Sequence, residues 1–319
     1  MSWKERRALV TGAAGFIGSH LVKRLLDEGA QVHILLKGGG STWRIKDQLD
    51  RLVVWEADIT DLTSLQSIIP RVNPQLIFHL AALVDVSRSW NRVVPMTNTN
   101  LLGTINLLTA LEQSCFETFV HTGSSEEYGN TPSPCREDQR ESPISPYSFS
   151  KLSSTHFCQM AAKTFDLPIT TVRLFPTYGP FQEGAMFVPS AITSLLAGKT
   201  FKMSPGEQKR EFNFVGDIVE AYLKVAVCSE AHGEVLNVGN GIPYKLKQVI
   251  SIIKELIGGN LNIELGALPY RKGEGAECFC DNHKLRRLTG WSPQVSLEEG
   301  LRLTVEWYKT TGHRWYVHG

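Results

Sequence analysis

The sequence predicts an α/β protein with a doubly wound parallel sheet and a smaller C-terminal domain. Over the first half of the chain, short apolar runs typical of buried strands alternate with amphipathic helical stretches. The first such strand, near residues 7–11, is followed at once by a turn containing three glycines that opens a helix. Beyond about residue 175 the alternation loosens, which favours a separate unit. We therefore place a first domain at residues 1–174 plus 212–240 and a second at 175–211 plus 241–319.

The composition excludes several classes of function. The 319 residues include 33 Lys and Arg against 32 Asp and Glu, so the net charge of +1 predicts no surface for nucleic acid or an anionic membrane. The six cysteines are scattered and lack zinc-knuckle spacing, so we expect reduced, mostly buried thiols and no metal site. The charged N-terminal segment has the pattern of neither a signal peptide nor a spanning helix. The sequence therefore predicts a soluble, cytoplasmic protein.

The glycine-rich turn predicts a dinucleotide site of the Rossmann type. Gly12 suits the tight turn, and Gly15 lets the backbone approach a pyrophosphate at the helix N-terminus. Gly18 allows the helix to pack closely on the strand. Phe16 and Ile17 complete the turn and are expected to lie beside the cofactor.

The other expected cofactor contacts follow the second, third and fourth strands. Lys37 stands just beyond the second strand, which ends without the acidic residue that usually binds the adenosine ribose. The cofactor is predicted to be NAD, but NADP is left open because a lysine at this position suits a 2′-phosphate. Asp58 is placed to contact the adenine ring. The remaining predicted contacts are Ile59, Leu80, Ala81, Ala82 and Asn100.

Tyr147 and Lys151 predict a catalytic base. Residues four apart share one face of a helix, and Pro146 suits the first turn of such a helix. We expect the Lys151 ammonium to stabilise the phenolate of Tyr147 and so to lower the pKa of Tyr147 from about 10 toward the working pH. Ser124, at the end of the fifth predicted strand, is expected to bind the same substrate oxygen.

Ser125 and Glu126 directly follow Ser124. They add a hydroxyl and a carboxylate beside the reacting oxygen, which simple alcohol oxidation does not require. Because ligands of doubly wound sheets bind at the carboxyl ends of the strands, this stretch is expected to line the site.

Taken in order, these motifs resemble the extended short-chain dehydrogenase/reductases that act on nucleotide sugars. The resemblance covers nearly the whole chain and continues through three further motifs: Asn100-x-x-Gly103-Thr104, Arg210-x-Phe-x-x-Val215-x-Asp217 and Asp281-x-x-Lys284-x-x-x-Leu288-x-Gly290-Trp291-x-Pro293. It implies a bound nicotinamide dinucleotide and a nucleoside-diphosphate sugar as substrate. It also implies a homodimer, because two helices of this fold form the dimer bundle in relatives.

The resemblance implies a substrate clamp in the C-terminal domain. By position, Arg210 and Arg271 match arginines that bind the pyrophosphate, and Glu274 matches a residue at the ribose. Guanidinium groups suit this role because they are planar, permanently charged and able to bond two oxygens at once. Pro176 departs from the pattern, because relatives carry at this position an Asn that contacts the sugar or its phosphate.

The stretch Ser124-Ser125-Glu126 most resembles that of the nucleotide-sugar dehydratases. After oxidation at C4, Glu126 would remove the C5 proton and the C6 hydroxyl would leave. Many dehydratases carry an Asp where Ser125 stands, which implies that Glu126 itself carries the proton to O6. Hydride return to C6 gives a 4-keto-6-deoxy sugar. Return to C4 gives a 5,6-alkene, as in the UDP-N-acetylglucosamine 5,6-dehydratases of tunicamycin pathways.

Three other functions remain open. A 4-epimerase is the main alternative, although such enzymes tend to have small apolar residues in place of Ser125 and Glu126. UDP-glucuronate decarboxylases have a similar Thr-Ser-Glu stretch, but they also have an arginine before the catalytic tyrosine, where this chain has Ser145. A non-catalytic, cofactor-sensing protein of this fold would usually have lost the tyrosine or the lysine of the pair.

Overall fold

The computed structural model describes residues 3–182, 186–259, 261–270 and 275–311. The strands in these ranges are β1 (Arg7–Thr11), β2 (Gln31–Leu36), β3 (Val53–Glu56), β4 (Leu76–His79), β5 (Thr118–Ser124), β6 (Ile169–Leu174), β7 (Thr177–Tyr178), β8 (Phe201–Met203), β9 (Lys209–Arg210), β10 (Asn213–Phe214), β11 (Val235–Val238), β12 (Tyr244–Lys245), β13 (Ile263–Leu265) and β14 (Glu277–Cys278). The helices are α1 (Phe16–Asp27), α2 (Leu62–Val72), α3 (Val93–Met96), α4 (Gly103–Ala110), α5 (Pro146–Phe165), α6 (Phe187–Leu196), α7 (Val215–Ala226), α8 (Leu246–Ile257), α9 (His283–Thr289) and α10 (Leu297–Thr311).

The predicted doubly wound sheet is confirmed. Within the described ranges, seven parallel strands pair in the order β11-β6-β5-β4-β1-β2-β3. Helices α1 and α7 bury their apolar faces on one side of the sheet, and α2, α4 and α5 cover the other. Burial on both faces explains why the inner strands are nearly continuous apolar runs in the sequence.

The C-terminal elements form a third apolar cluster, built mainly from α6, α8 and α10. Three small sheets accompany it: β10-β7, β12-β9-β14 and β13-β8. Helix α9 instead contributes Leu285 to the cluster on the main sheet. The division into two domains at the boundaries given above stays a prediction.

The backbone of the glycine turn packs directly against the backbone of Leu80 and Ala81, which follow β4. Gly12 has a φ of +70°, and a Cβ atom there would lie 2.7 Å from both the carbonyl carbon of Leu80 and the nitrogen of Ala81. A Cβ on Gly18 would lie 2.1 Å from the Gly12 oxygen. Any side chain at these two positions would force the first turn away from the sheet, which is why the turn needs glycine.

The helical segment at residues 93–110, which contains Asn100, is not a regular α-helix. It begins at Val93, ends at Ala110 and is interrupted by a π-helical turn at Thr97–Leu102. This turn contains Asn100, whose side chain accepts a hydrogen bond from the Leu83 nitrogen at 2.7 Å. Hydrophobic periodicity cannot reveal such a local change of helical pitch, and π turns are often found at functional sites. None of the helices in the described ranges is long and apolar enough to cross a membrane.

Candidate active site

The predicted catalytic residues Ser124, Ser125 and Glu126 lie at the carboxyl end of β5, an inner strand of the sheet, in a segment called the catalytic turn below. A 3-10 turn, Ser125–Tyr128, follows the strand directly. Ser124 caps this turn, because its Oγ accepts a hydrogen bond from the Glu126 nitrogen at 3.2 Å. Ser124 and Ser125 are buried, whereas Glu126 is exposed. The capped turn therefore fixes two hydroxyls and presents one carboxylate to solvent.

Helix α5 brings Tyr147 and Lys151 to this turn. Ser145 caps the helix by accepting a hydrogen bond from the Ser148 nitrogen at 3.1 Å, and Pro146 occupies the first turn as predicted. Both side chains are buried. The Ser124 side chain lies near the Tyr147 hydroxyl and acts to lower the pKa of Tyr147. The tyrosine and the serine predicted to share one substrate oxygen thus lie near each other.

The expected lowering of the Tyr147 pKa is wrong for the protein groups alone. Burial raises the pKa of Tyr147 to about 12; the Ser124 hydrogen bond opposes this shift, and the charges of Glu126 and Glu127 add to it. The Lys151 Nζ instead donates to the Thr122 carbonyl oxygen. Burial lowers the pKa of Lys151 to about 8, although the Glu127 charge acts in the opposite direction. A positive charge placed beside Tyr147 would stabilise its phenolate further.

A buried ion pair that the sequence reasoning missed supports the turn. Glu127 is fully buried and accepts hydrogen bonds from the Ser124 nitrogen at 2.8 Å, the Thr155 Oγ1 at 3.0 Å and the Arg173 Nε at 2.7 Å. Arg173, on β6, also pairs with Glu141. Because Thr155 lies on α5, the pair ties the catalytic turn to the helix that carries Tyr147 and Lys151. A single arginine within the apolar run of β6 was the sequence signal.

The predicted cofactor residues converge at the N-terminus of α1. Gly15 is the N-cap of this helix and has no side chain to bind its first N–H groups, which suits a phosphate ligand. The Thr11 hydroxyl accepts a hydrogen bond from the Ala81 nitrogen at 3.1 Å. Phe16 and Ile17 begin the helix, and Leu80, Ala81 and Ala82 follow β4 beside the turn. These residues fit a dinucleotide whose pyrophosphate lies at the helix N-terminus.

The Asn100 side chain forms hydrogen bonds with two segments of the candidate site. Its Nδ2 donates to the Leu83 carbonyl at 3.1 Å and to the Ser150 Oγ at 2.9 Å. The residue therefore joins the segment after β4 to α5, the helix of Tyr147.

Lys37 and Asp58, both predicted to contact the adenosine half of the cofactor, are paired with each other. The Lys37 Nζ lies 2.8 Å from an Asp58 carboxylate oxygen. Burial opposes the shift, but hydrogen bonds from Lys37 and Thr60 lower the pKa of Asp58. The neighbouring Ile59 is buried against Gly103, where an added Cβ would lie 2.6 Å from the isoleucine Cδ1. The Lys37 ammonium thus already has an anionic partner at this edge.

The predicted substrate residues are only partly described. The Arg210 guanidinium donates to the backbone carbonyls of Lys209 at 2.7 Å and Gly275 at 2.9 Å. Arg271 and Glu274 lie outside the described residues. The Pro176 carbonyl accepts hydrogen bonds from the nitrogen of Asn213 at 2.9 Å and from its Nδ2 at 3.1 Å. The loop that departs from the family pattern is therefore fastened to the segment that follows Arg210.

Two buried histidines lie beneath Lys151. His79 bridges two threonines, with Nδ1 2.7 Å from the Thr11 Oγ1 and Nε2 3.0 Å from the Thr104 Oγ1. The His121 ring is tilted by 30° against the His79 ring at a centroid distance of 5.7 Å, and neither of its ring nitrogens has a hydrogen-bond partner among the described residues. Burial lowers the pKa of His79 to about 3 and that of His121 well below its usual range, and the Lys151 charge adds to both shifts. Both rings are neutral at physiological pH.

Known proteins match this chain over almost its whole length. A family model described as GDP-mannose 4,6 dehydratase matches residues 9–304. The chain is similar to the UDP-glucose 4-epimerase of Mycolicibacterium smegmatis, with 34% identity over 95% of this chain and 98% of that protein. It is 30% identical to dTDP-glucose 4,6-dehydratase 1 of Escherichia coli, over 95% of this chain and 92% of that protein.

A solved structure extends the similarity to three dimensions. The dTDP-glucose 4,6-dehydratase of Bacillus anthracis in complex with NAD superposes with a TM-score of 0.87 at 26% identity. The match covers 98% of this chain and 99% of that one. The relatives thus include both epimerases and dehydratases.

Replacing Glu127 by Gln should destabilise the protein by about 3–5 kcal/mol, because the buried Arg173 would lose a charged partner. Urea denaturation with and without the change measures the difference. Glu126→Gln, one residue earlier on the same turn but exposed, is the matched control and should change the free energy of unfolding by no more than about 0.5 kcal/mol. Equal effects of the two changes would contradict the supporting role of Glu127.

Replacing His121 by Phe should reduce the loss of stability in acid. The unfolded histidine binds a proton below about pH 6.5, whereas the lowered pKa keeps the folded ring neutral, so stability falls as pH drops below that value. The variant should lose about 1 kcal/mol less per pH unit than the wild type between about pH 6 and about pH 5. Urea denaturation at both pH values gives the slopes, and identical slopes would show that His121 is not neutral in the folded protein.

Proposed function

Because this chain belongs to the nucleotide-sugar dehydratase and epimerase family of the extended short-chain dehydrogenase/reductases, we propose that it is a nucleotide-sugar dehydratase. The observation that carries the proposal is the position of Glu126. It is an exposed carboxylate on the turn capped by Ser124, and its charge adds to the effect of burial in raising the pKa of Tyr147. A 4-epimerase needs no acid or base at this position, whereas an elimination needs a group that removes a proton next to the ketone.

The proposed cofactor is NAD, which the Bacillus anthracis relative also binds. The uncapped N-terminus of α1 and the close approach of Gly12 to Ala81 would hold the pyrophosphate. Lys37 is paired with Asp58, which weakens the case for a 2′-phosphate at that edge. When bound, the oxidised nicotinamide supplies a hydride acceptor and a positive charge beside the catalytic residues.

In the proposed first step, Tyr147 accepts the proton of the sugar C4 hydroxyl while Ser124 holds the oxygen by a hydrogen bond. The positive charge beside the site would offset burial and the carboxylates that raise the pKa of Tyr147. Lys151 adds charge within the same buried region and, through the Thr122 carbonyl, stays anchored to β5. The C4–H bond breaks in the same step, and its hydrogen would pass as hydride to the acceptor that the bound nicotinamide would supply, which leaves a C4 ketone.

In the proposed second step, Glu126 removes the C5 proton, which the neighbouring ketone has made acidic. The electron pair of the C5–H bond forms the C5–C6 double bond, and the C6–O bond breaks. The C6 hydroxyl takes the proton from Glu126 and leaves as water, since Ser125 is a poorer proton donor than a carboxylic acid. Hydride return to C6 with protonation at C5 gives a 4-keto-6-deoxy sugar, and return to C4 gives a 5,6-alkene.

The proposed substrate clamp uses Arg210 on the pyrophosphate, with Arg271 and Glu274 as further contacts. Arg210 supports this role because its guanidinium lies against the 275–276 backbone, directly after the segment that contains the other two residues. We expect the nucleotide to be uridine or deoxythymidine diphosphate, as the names of the relatives indicate.

A 4-epimerase is the second candidate. The relative with 34% identity over nearly the whole chain is a UDP-glucose 4-epimerase, and Ser124, Tyr147 and Lys151 would suffice for its chemistry. In that reaction the keto sugar rotates within the site, and the ketone is then reduced on its other face.

We also propose a homodimer formed through α3, the π turn and α5. These segments pack together and expose Val94, Leu102, Phe149 and Met160, each more than two-fifths accessible. Apolar side chains clustered on neighbouring helices favour association with a like surface.

Incubation with UDP-glucose, UDP-N-acetylglucosamine, GDP-mannose and dTDP-glucose tests the dehydratase proposal. One substrate should lose one water by mass, and Glu126→Gln should abolish this loss while C4 oxidation continues, because only the C5 proton step needs the carboxylate. Substrate carrying deuterium at C4 shows where the hydride returns, since the label is found at C6 or stays at C4. A new stereoisomer of unchanged mass would instead establish the epimerase.

Phe149→Glu should convert a dimer to a monomer, because a charge on the proposed face would have to be desolvated on association. Sedimentation velocity of the wild type and the variant measures the change. Ile242→Glu, an exposed apolar residue on another part of the surface, is the control and should leave the dimer intact. A wild-type protein that sediments as a monomer at all concentrations would contradict the proposal.

A further inference from the structure

Three cysteines from distant parts of the sequence meet between the catalytic turn and the strand of Arg210. Cys135 lies in the segment that joins the turn to α5, and Cys278 and Cys280 lie in and just after β14. The Cys135 nitrogen donates to the Phe279 carbonyl at 2.8 Å, and its carbonyl accepts from the Asp281 nitrogen at 2.9 Å. These bonds form a parallel bridge that places Cys135 opposite Cys280.

Cys278 packs against the buried cluster that contains Cys135 and Cys280, and its thiol acts to lower the pKa of Cys135, whereas Cys280 faces another group. The Ser133 Oγ lies 3.8 Å from the Cys135 Sγ. The Cys280 Sγ donates instead to the buried carboxyl of Glu211 at 3.6 Å. Cys135 is almost fully buried, but Cys278 is partly exposed, so a small solute can reach the pair from that side.

We propose that Cys135 and Cys278 form a reversible disulfide when hydrogen peroxide or a similarly small peroxide reaches them. One thiolate attacks a peroxide oxygen, so the O–O bond breaks and the sulfur becomes a sulfenic acid. The second thiol then attacks this sulfur, an S–S bond forms, and the sulfenic oxygen leaves as water. Two thiols and one hydrogen peroxide thus give one disulfide and two waters, and the sulfurs supply both electrons.

The surroundings of Cys135 favour the reactive thiolate. The hydrogen bond with Cys278 lowers the pKa of Cys135, burial opposes this, and the Ser133 hydroxyl and the Arg173 charge add to the lowering. The thiolate is the nucleophile in both peroxide and disulfide chemistry. Among the described residues no three His, Cys, Asp or Glu side chains are arranged to hold a metal ion, so these thiols do not form a metal site there.

The disulfide would join two parts of the proposed reaction site. Cys135 follows the catalytic turn in sequence, and β14 pairs with β9, which contains Arg210. A covalent bond between them would restrain any movement of the substrate-binding strands relative to the catalytic turn. This effect on turnover rests on the proposed function, whereas formation of the disulfide does not.

Peptide mapping by mass spectrometry tests the bond. The purified protein is treated with hydrogen peroxide, blocked with iodoacetamide and digested without reductant. We expect a linked pair of peptides containing Cys135 and Cys278, lighter by two hydrogens than the separate thiol peptides and released by dithiothreitol. Alkylation of both cysteines after peroxide treatment, or a bond from either one to Cys280, would overturn the proposal.

Three serine variants complete the test. Cys135→Ser and Cys278→Ser should each abolish the linked peptides, whereas Cys280→Ser should retain them; loss of the link in Cys280→Ser would also overturn the assignment. Thermal unfolding of each reduced variant checks that it is folded, and Cys278→Ala replaces Cys278→Ser if the serine variant is not folded.

The turnover of the wild type should fall several-fold on oxidation and recover with dithiothreitol, whereas the turnover of Cys278→Ser should not respond to peroxide. Equal turnover of the linked and reduced wild type would refute the restraint while leaving the disulfide established.

Discussion

The Glu127 carboxylate holds the reaction site together. A buried charge is costly unless several groups compensate it, and Glu127 has a guanidinium, a hydroxyl and a backbone N–H as partners. These partners belong to β6, α5 and the catalytic turn, so one side chain fixes the relative position of three elements. Such a pair contributes little net stability over an apolar substitute, but it defines a single geometry because any displacement leaves a charge uncompensated.

The same charge shapes the chemistry of its neighbours. Burial raises the pKa of Tyr147 and lowers that of Lys151, and the Glu127 charge adds to the first shift and opposes the second. The neutral histidines beneath Lys151 contribute no charge at physiological pH. With its pKa raised to about 12, Tyr147 stays protonated at neutral pH. In the proposed reaction, the positive charge of an oxidised nicotinamide would favour the phenolate and so would couple the proposed base to that form of the cofactor.

Local signals predicted the fold and the elements that carry the candidate site residues, whose roles stay predictions. Apolar runs defined the strands of the main sheet, and Gly12, Pro146 and the Tyr147–Lys151 spacing marked the turn and the helix of the site. The sequence could not reveal the partner of Glu127, because Arg173 lies on another strand and pairing across strands depends on the sheet order. It also could not reveal that the Lys151 ammonium bonds the Thr122 carbonyl, since helix spacing sets the face of a side chain and not its partner.

Glu126 and Glu127 have the same side chain and adjacent positions, but they differ in burial and in hydrogen-bond partners. Both follow Ser124 on one turn, yet the turn directs Glu127 into the protein and Glu126 toward solvent. A catalytic base needs a carboxylate oxygen that a substrate proton can reach, and a buried carboxylate that already accepts three hydrogen bonds is unsuited to that role. Glu126 is exposed on the turn capped by Ser124. The buried glutamate therefore gives the turn its shape, and the exposed one is the carboxylate that the proposed elimination would use.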